Sequence, residues 1–389
     1  MISPARTAAT IGLMQLYNGT AGWRIMWPME YLRKRGYPVA YGINGDSKAS
    51  AQIQHADLVV IHRLAWKPED RGNAFAWRDL LHRNGKALCY ELDDDLISEA
   101  IIERVQKTNM REPLTNEQID LERQQHIFAI ALSDGVICST EYLRQVCLQY
   151  TDKPVVVVPN AIDLQRFQLL LNIEAPTLDR PPTIAWIGGN RPDRDAETLA
   201  VAWNRIARKY PSVRFKIGGY PLPALLGSVP ADRVSLIPWR SIDAYPRAFA
   251  NIDIGCAPLN HEPFNLAKSP IKAMEYAAAG AAVVASPTVY SNILEDGRTG
   301  FICQTADEWT QALEFLLDNP DSRKKMAQAL LEEVSARHSL QAVAGRWPEA
   351  WNAIMADFRL RQIKSEPRWG STFHPSMGYH TTSIPAVRV

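Results

Sequence analysis

The stretch Lys268-Ser-Pro-Ile-Lys-Ala-Met-Glu-Tyr-Ala-Ala-Ala-Gly280, followed by the apolar run Ala281–Ala285, decides how this chain is read. Pro270 is well placed to open a helix, Gly280 to end it, and the run beyond reads as a strand. Loop, helix, glycine and strand make an α/β unit with its polar groups gathered at the helix start. A helix N-terminus offers unpaired N–H groups and the positive end of a dipole, which suits a phosphate. Lys268 and Ser269 stand at that start, and Glu275 follows two turns in. The turn-rich acidic loop Glu295-Asp-Gly-Arg-Thr-Gly300 lies further on.

The same alternation runs through most of the chain. Thr10–Tyr17, Pro38–Ile43, Leu58–His62, Ala87–Leu92, Gly135–Cys138 and Val155–Val158 read as strands, with helices at Pro28–Arg35, Trp77–Arg83, Asn116–Ala131 and Thr140–Gln149. The polar, proline-containing stretch Leu169–Pro182 reads as a linker. A second block follows, with strands at Thr183–Ile187, Arg214–Gly218, Val234–Ile237, Ile252–Ala257, Ala281–Ala285 and Gly300–Cys303. Such alternation predicts an α/β fold of mostly parallel, doubly wound sheets. The length of 389 residues predicts two domains, 1–172 and 173–345. Arg346–Leu360 reads as a last helix within a segment 346–363, carrying Trp347, Trp351, Ile354 and Phe358, and 364–389 as a mobile tail.

Composition excludes several classes. A hydrophobic content of 46% and a charged content of 22% describe a globular enzyme. The net charge of +1 gives no strong nucleic-acid signal. Five scattered cysteines, none in CxxC spacing, argue for reduced thiols in the cytoplasm and against a zinc site. No apolar run approaches the roughly 18 residues of a membrane span. Trp23, Met26, Trp27, Tyr31 and Leu32 lie among Arg24, Arg33, Lys34 and Arg35. That stripe either packs on a sheet or makes a peripheral contact with anionic lipid.

Ligands of open α/β sheets sit beyond the carboxyl ends of the strands. After Thr183–Ile187 comes Gly188-Gly189-Asn-Arg191-Pro-Asp-Arg194-Asp195. Its glycines admit close backbone approach, and Arg191 and Arg194 either bind phosphate oxygens or form a solvated loop with Asp193 and Asp195. Lys272 precedes Glu275 on one helix face and either reaches a phosphate or pairs with that carboxylate. Asp93, Asp94 and Asp95 follow a strand and have three readings: cleft residues, an acidic turn capping the next helix, or a metal site. Arg24, beyond the glycine loop that holds Gly22, either enters the cleft or lies on the surface. His261, in the loop Asn260–Asn265, reads as a surface residue or as a ligand.

The order of these motifs resembles the nucleotide-sugar site of GT-B glycosyltransferases, close to the retaining family 4 (glycosyl transferases group 1). The resemblance spans roughly residues 9–360 and is densest between 183 and 303. Lys268, Ser269, Lys272, Glu275 and Tyr276 fit its variant Lys-Ser-x-x-Lys-x-x-Glu-Tyr. Glu275 matches the second glutamate of its Glu-x7-Glu pattern, and Ala267 stands where the first would fall. Arg194 takes the place of a lysine, and Val157–Phe167 resembles the connector that closes the first domain.

The resemblance implies two Rossmann-like domains facing each other across a cleft, with the last helix crossing back to the first. It implies a hexosyltransferase-type enzyme that moves a sugar from a nucleotide-diphosphate-sugar donor to a hydroxyl acceptor, retaining and metal-independent, with no cofactor. Arg191, Arg194 and Lys268 are then catalytic. Gly188, Gly189, Ser269, Lys272 and Glu275 bind the donor, and Gly22, Arg24, Asp93 and Asp94 face the acceptor, a glycan, lipid-linked or other hydroxyl compound. The alternatives are a GT-B nucleotide-sugar epimerase and a non-catalytic nucleotide-sugar-binding protein.

Overall fold

A computed structural model describes residues 3–106, 114–172, 180–188, 194–219, 226, 227 and 229–365. Its strands form two six-stranded sheets, and every pairing is parallel. The first contains β1 (Thr10–Met14), β2 (Val39–Ile43), β3 (Leu58–His62), β4 (Ala87–Leu92), β5 (Gly135–Cys138) and β6 (Val155–Val157), in the order β2-β1-β3-β4-β5-β6. The second contains β7 (Thr183–Ile187), β8 (Arg214–Gly218), β9 (Val234–Ile237), β10 (Ile254–Ala257), β11 (Ala282–Ala285) and β12 (Phe301–Ile302), in the order β12-β11-β10-β7-β8-β9. Helices cover both faces, so β3 and β4 are buried along their whole length, as suits runs that are apolar but for His62 and Glu91. Strand order reverses beside β1 in the first sheet and beside β7 in the second. Both reversals open a crevice at the carboxyl ends.

Three expectations change. The loop after β1 is already helical: Asn18 caps it by accepting the Ala21 N–H at 2.9 Å. A π-turn at Gly22–Met26 then leads into the helix Trp27–Arg33. Pro28 has no N–H for an ordinary helical bond, and the change of register falls just before it. The expected linker begins too early. Leu164–Asn172 is a helix whose Arg166 N–H is accepted by Asp163 at 3.0 Å, and its Phe167 is fully buried. The lipid-docking reading of the basic stripe loses its apolar face, because Trp23, Met26, Trp27 and Leu32 are buried in the core. Among the described residues no helix is long and apolar enough to cross a membrane.

One apolar core joins the two sheets. The Phe167 ring lies 6.5 Å from Trp23 and 5.9 Å from Phe249, and Phe249 lies 5.5 Å from Tyr276 of the second domain. The final helix, Arg346–Ser365, packs on the first sheet. Trp347, Trp351, Ile354 and Phe358 are buried there. Gly135 gives Ile354 its seat, since a Cβ at that glycine would lie 2.7 Å from the isoleucine side chain. Asn352 accepts the Ala8 N–H at 3.0 Å and donates to the Arg6 carbonyl at 3.1 Å. The tail residues Trp369, Phe373 and Tyr379 lie outside the described residues. Trp351→Ala should cost about 3–5 kcal/mol in equilibrium urea unfolding, as expected for a fully buried indole. A loss below about 1 kcal/mol would mean that this helix is not part of the common core.

Candidate active site

Loops that follow strands of both sheets enclose a cleft of about 420 Å³. The first domain contributes Tyr17 to Thr20 after β1, Asp93 and Asp94 after β4, and Asn160 from the connector beyond β6. The second contributes Gly188 after β7, Trp239 and Arg240 after β9, and Leu259 after β10. Lys268, Ser269, Lys272 and Glu275 complete that wall.

The helix Ile271–Ala278 sets the second-domain wall. Lys268 Nζ sits 3.3 Å from Asp94 Oδ1, across the cleft, and 4.7 Å from the centre of the Phe264 ring. Ser269 Oγ accepts a hydrogen bond from Asn160 Nδ2 at 2.9 Å. Lys272 Nζ donates to Glu275 Oε2 at 2.9 Å and to the Tyr245 hydroxyl at 2.7 Å, so it pairs with Glu275 while also lining the cleft. Glu275 is 1% exposed, and its Oε1 has no hydrogen-bond partner. Burial raises its pKa, against the pull of the Lys272 ammonium. The helix is anchored by Tyr276, whose hydroxyl accepts the Ile187 N–H at 2.9 Å. Gly255 makes room for that ring, because a Cβ there would lie 2.2 Å from it. Gly188 is equally constrained, with a would-be Cβ 2.3 Å from the Trp186 ring.

The first-domain wall rests on buried charge. Arg24 does not enter the cleft, nor does it lie on the surface. Its Nε donates to Glu91 Oε1 at 2.6 Å, and its Nη1 donates to the Val158 carbonyl at 2.7 Å and to Asn160 Oδ1 at 3.2 Å. The guanidinium lies 4.9 Å from the centre of the Trp347 ring. The other Glu91 oxygen engages His62 Nδ1, and His62 Nε2 sits 3.2 Å from Thr20 Oγ1 in the cleft wall. Burial works to raise the Glu91 pKa, but Arg24 and His62 outweigh it and hold the carboxyl at about 2. Gly22 does not line the cleft either. It is a close approach between domains, where a Cβ would lie 2.6 Å from Ile242.

The aspartate run divides by role. Arg63, at φ +50° just beyond β3, donates to Asp93 Oδ1 at 2.6 Å and to Asp94 Oδ2 at 2.8 Å. Burial opposes ionisation of Asp94, yet Lys268 and Arg63 bring its pKa down to about 2. Asp95 closes the turn ahead of the next helix, Ala100–Gln106, and does not cap that helix: its Oδ1 accepts the Ser98 N–H at 2.9 Å. Among the described residues no group of three His, Cys, Asp or Glu side chains is arranged to hold a metal ion.

Gly189 and Arg191 lie outside the described residues. Arg194 opens the short turn Arg194–Ala196, of which only the backbone is described. Asp195 does not simply neutralise that loop. Its Oδ2 meets Arg104 of the first domain at 2.9 Å, and its Oδ1 accepts the Asn260 N–H at 2.7 Å. Ala267 is fully buried against the first-domain core, and its carbonyl accepts from Thr140 Oγ1 at 3.1 Å. A packing contact thus occupies the place where the resemblance would put a glutamate. His261 is exposed. The sequence reading missed His62, Arg63, Glu91, Asn160 and Trp239. Trp239 follows a strand and could have been found by inspecting every strand end, but the ion pairs join residues far apart in the chain and leave no local signal.

Residues 181–319 match the family of glycosyl transferases group 1. The fold agrees with this over most of the chain. Sucrose-phosphate synthase from Thermosynechococcus elongatus superposes with a TM-score of 0.62 at 14% identity, over 89% of this chain and 99% of that one. HepE of Anabaena, in complex with UDP and glucose, gives 0.60 at 14% identity over 89% and 99%. The catalytic domain of starch synthase IV from Arabidopsis thaliana, bound to ADP and acarbose, gives 0.58 at 12% identity over 90% and 100%. No curated protein matches by sequence. The chain has a GT-B fold.

Glu91→Gln would leave the buried Arg24 without its counter-charge and should destabilise the fold by about 3–5 kcal/mol in denaturant. The native protein should also weaken in acid. Folded-state pKa values of Glu91 and Asp94 lie below their ordinary 4.5 and 3.8, so their contribution is full above those values. It is lost as pH falls toward about 2, because the unfolded chain takes up protons first. Melting temperatures between pH 6 and pH 2 check this, and an unchanged Tm across that range would contradict the pairing.

Proposed function

We propose that the enzyme transfers a sugar from a nucleotide-diphosphate-sugar donor to a hydroxyl acceptor, with retention at the anomeric carbon and without a metal ion. The observation that carries this reading is the Glu275 carboxylate. It is buried in the cleft beside Lys272, with one oxygen unpartnered and the start of its own helix opening toward Lys268 and Ser269. The orphan oxygen suits a ribose hydroxyl, and the helix start with Lys268 suits the diphosphate. That structures of similar fold were solved with UDP or ADP bound supports a nucleotide as a ligand of this chain. In the proposed division, residues up to about 172 form the acceptor side and residues 173–345 the donor side.

In the step itself the bond from the anomeric carbon to the phosphate oxygen breaks, and a bond to the acceptor oxygen forms on the same face. The acceptor proton passes to the leaving diphosphate. Lys268 and the helix start stabilise the charge that develops there, a task worth a few kcal/mol per donor group. Arg191 and Arg194 share that task, with Gly188 and Gly189 admitting the phosphates. Metal independence is supported by the donor wall's own cations and by the engagement of Asp93 and Asp94 with Arg63 and Lys268.

A thermal-shift screen of UDP-, ADP-, GDP- and TDP-sugars identifies the donor. A ligand at 100 times its Kd raises stability by roughly 2.7 kcal/mol. Glu275→Ala should weaken binding of that nucleoside diphosphate by about 1.5–3 kcal/mol, roughly ten- to a hundredfold in calorimetry. Equal affinity in the variant would remove the ribose assignment. Turnover should survive EDTA, and a loss restored by Mn²⁺ would return a metal to the mechanism.

A further inference from the structure

The two walls of the cleft carry opposite charge. Among the described lining residues the cations Arg240, Lys268 and Lys272 all belong to the second domain, where they outnumber the carboxylates Asp195 and Glu275. The first-domain wall holds Asp93 and Asp94 and no lysine or arginine. Arg63 does not supply a cation to it, because its guanidinium is engaged by both carboxylates. Asp93 is 8% exposed. Arg63 donates to its Oδ1, and its Oδ2 receives no hydrogen bond from any described residue. Beside it stand neutral hydrogen-bonding groups, Asn18, Thr20 and Asn160, and the ring of Tyr17, which is 58% exposed.

We propose that this wall binds the acceptor as a neutral polyol, a sugar ring bearing no phosphate, sulfate or carboxylate. The inference rests on the glycosyl-transfer reading above and narrows its acceptor. An ionised carboxylate accepts hydroxyl hydrogen bonds strongly, and the Asp93 oxygen that Arg63 leaves free can exchange water for a sugar hydroxyl. An aromatic ring such as Tyr17 covers the C–H face of a pyranose while its hydroxyl stays wet. An anionic acceptor meets the opposite situation. It would lie against two ionised carboxylates in a partly dry cleft, where like charges repel strongly. The donor sharpens this discrimination: its diphosphate competes for Lys268, which otherwise lies 3.3 Å from Asp94.

The test uses the full chain, with and without a saturating nucleoside diphosphate. Saturation-transfer NMR is recorded with glucose, galactose, mannose and N-acetylglucosamine, and with the 6-phosphate of each. At least one neutral sugar should bind, and its 6-phosphate at least tenfold more weakly. Asp93→Asn should narrow that ratio severalfold, and Tyr17→Ala, at an exposed position that cannot disturb the core, should weaken the neutral sugar. A 6-phosphate bound as well as its neutral partner overturns the proposal, as does failure of every neutral sugar to bind in both states. A failure of all nucleotides to bind would instead remove the donor reading, and the sugar measurement without nucleotide would still decide the character of this wall.

Discussion

The buried Arg24–Glu91 pair is the interaction on which the rest of the first domain depends. One guanidinium joins the helical turn after β1, the end of β4, the connector at Val158 and Asn160, and the ring of Trp347 in the final helix. A charge so deep is tolerated only when it is paired, because removing either partner leaves the other stranded in a dry interior. The pair therefore fixes the relative places of elements that local propensity alone would leave free. Asn160 extends this order outward, since it accepts from Arg24 and donates to Ser269 across the cleft. His62 extends it in another direction, from Glu91 to the Thr20 hydroxyl.

The second domain is organised around Tyr276 rather than around charge. Its hydroxyl holds the backbone of β7 at Ile187, one residue before the glycine that lines the cleft. Its ring occupies the space that Gly255 leaves open, and it contacts Phe249 on its other side. Gly188 and the helix bearing Lys272 and Glu275 are thus held in register by one side chain. That is why these polar groups meet although they come from distant parts of the sequence.

Most of the architecture was legible before any coordinates. Leu58–His62, Ala87–Leu92 and Gly135–Cys138 appear with the bounds their apolar runs suggest, since buried parallel strands carry a strong local signal. The helix ahead of Gly280 was equally plain, and Lys268, Ser269, Lys272 and Glu275 do gather on one wall. What failed was the assignment of charge to exposure. Arg24 looked like a residue for the cleft or the surface, because nothing near it in sequence announces Glu91. The aspartate run looked like one feature, yet Asp93 and Asp94 answer Arg63 while Asp95 caps a turn. Both errors have the same cause: ion pairs are long-range, and hydrophobic period is not.

The segment from Glu262 to Ser269 has a double position. It shapes the donor wall, and it also meets the first domain through Arg104, Thr140, Asp94 and Asn160. If this wall holds the nucleotide as proposed, nucleotide affinity and domain separation are thermodynamically linked. Whatever opens the cleft withdraws part of the first domain's support from Lys268 and Ser269. By the same linkage, a ligand that prefers the supported arrangement shifts the population toward closure by its difference in affinity and no more. The inter-domain contact and the wall of the cleft are in this sense one object, and a substitution at Thr140, which does not line the cleft, would be felt as a change in how tightly the proposed nucleotide is held.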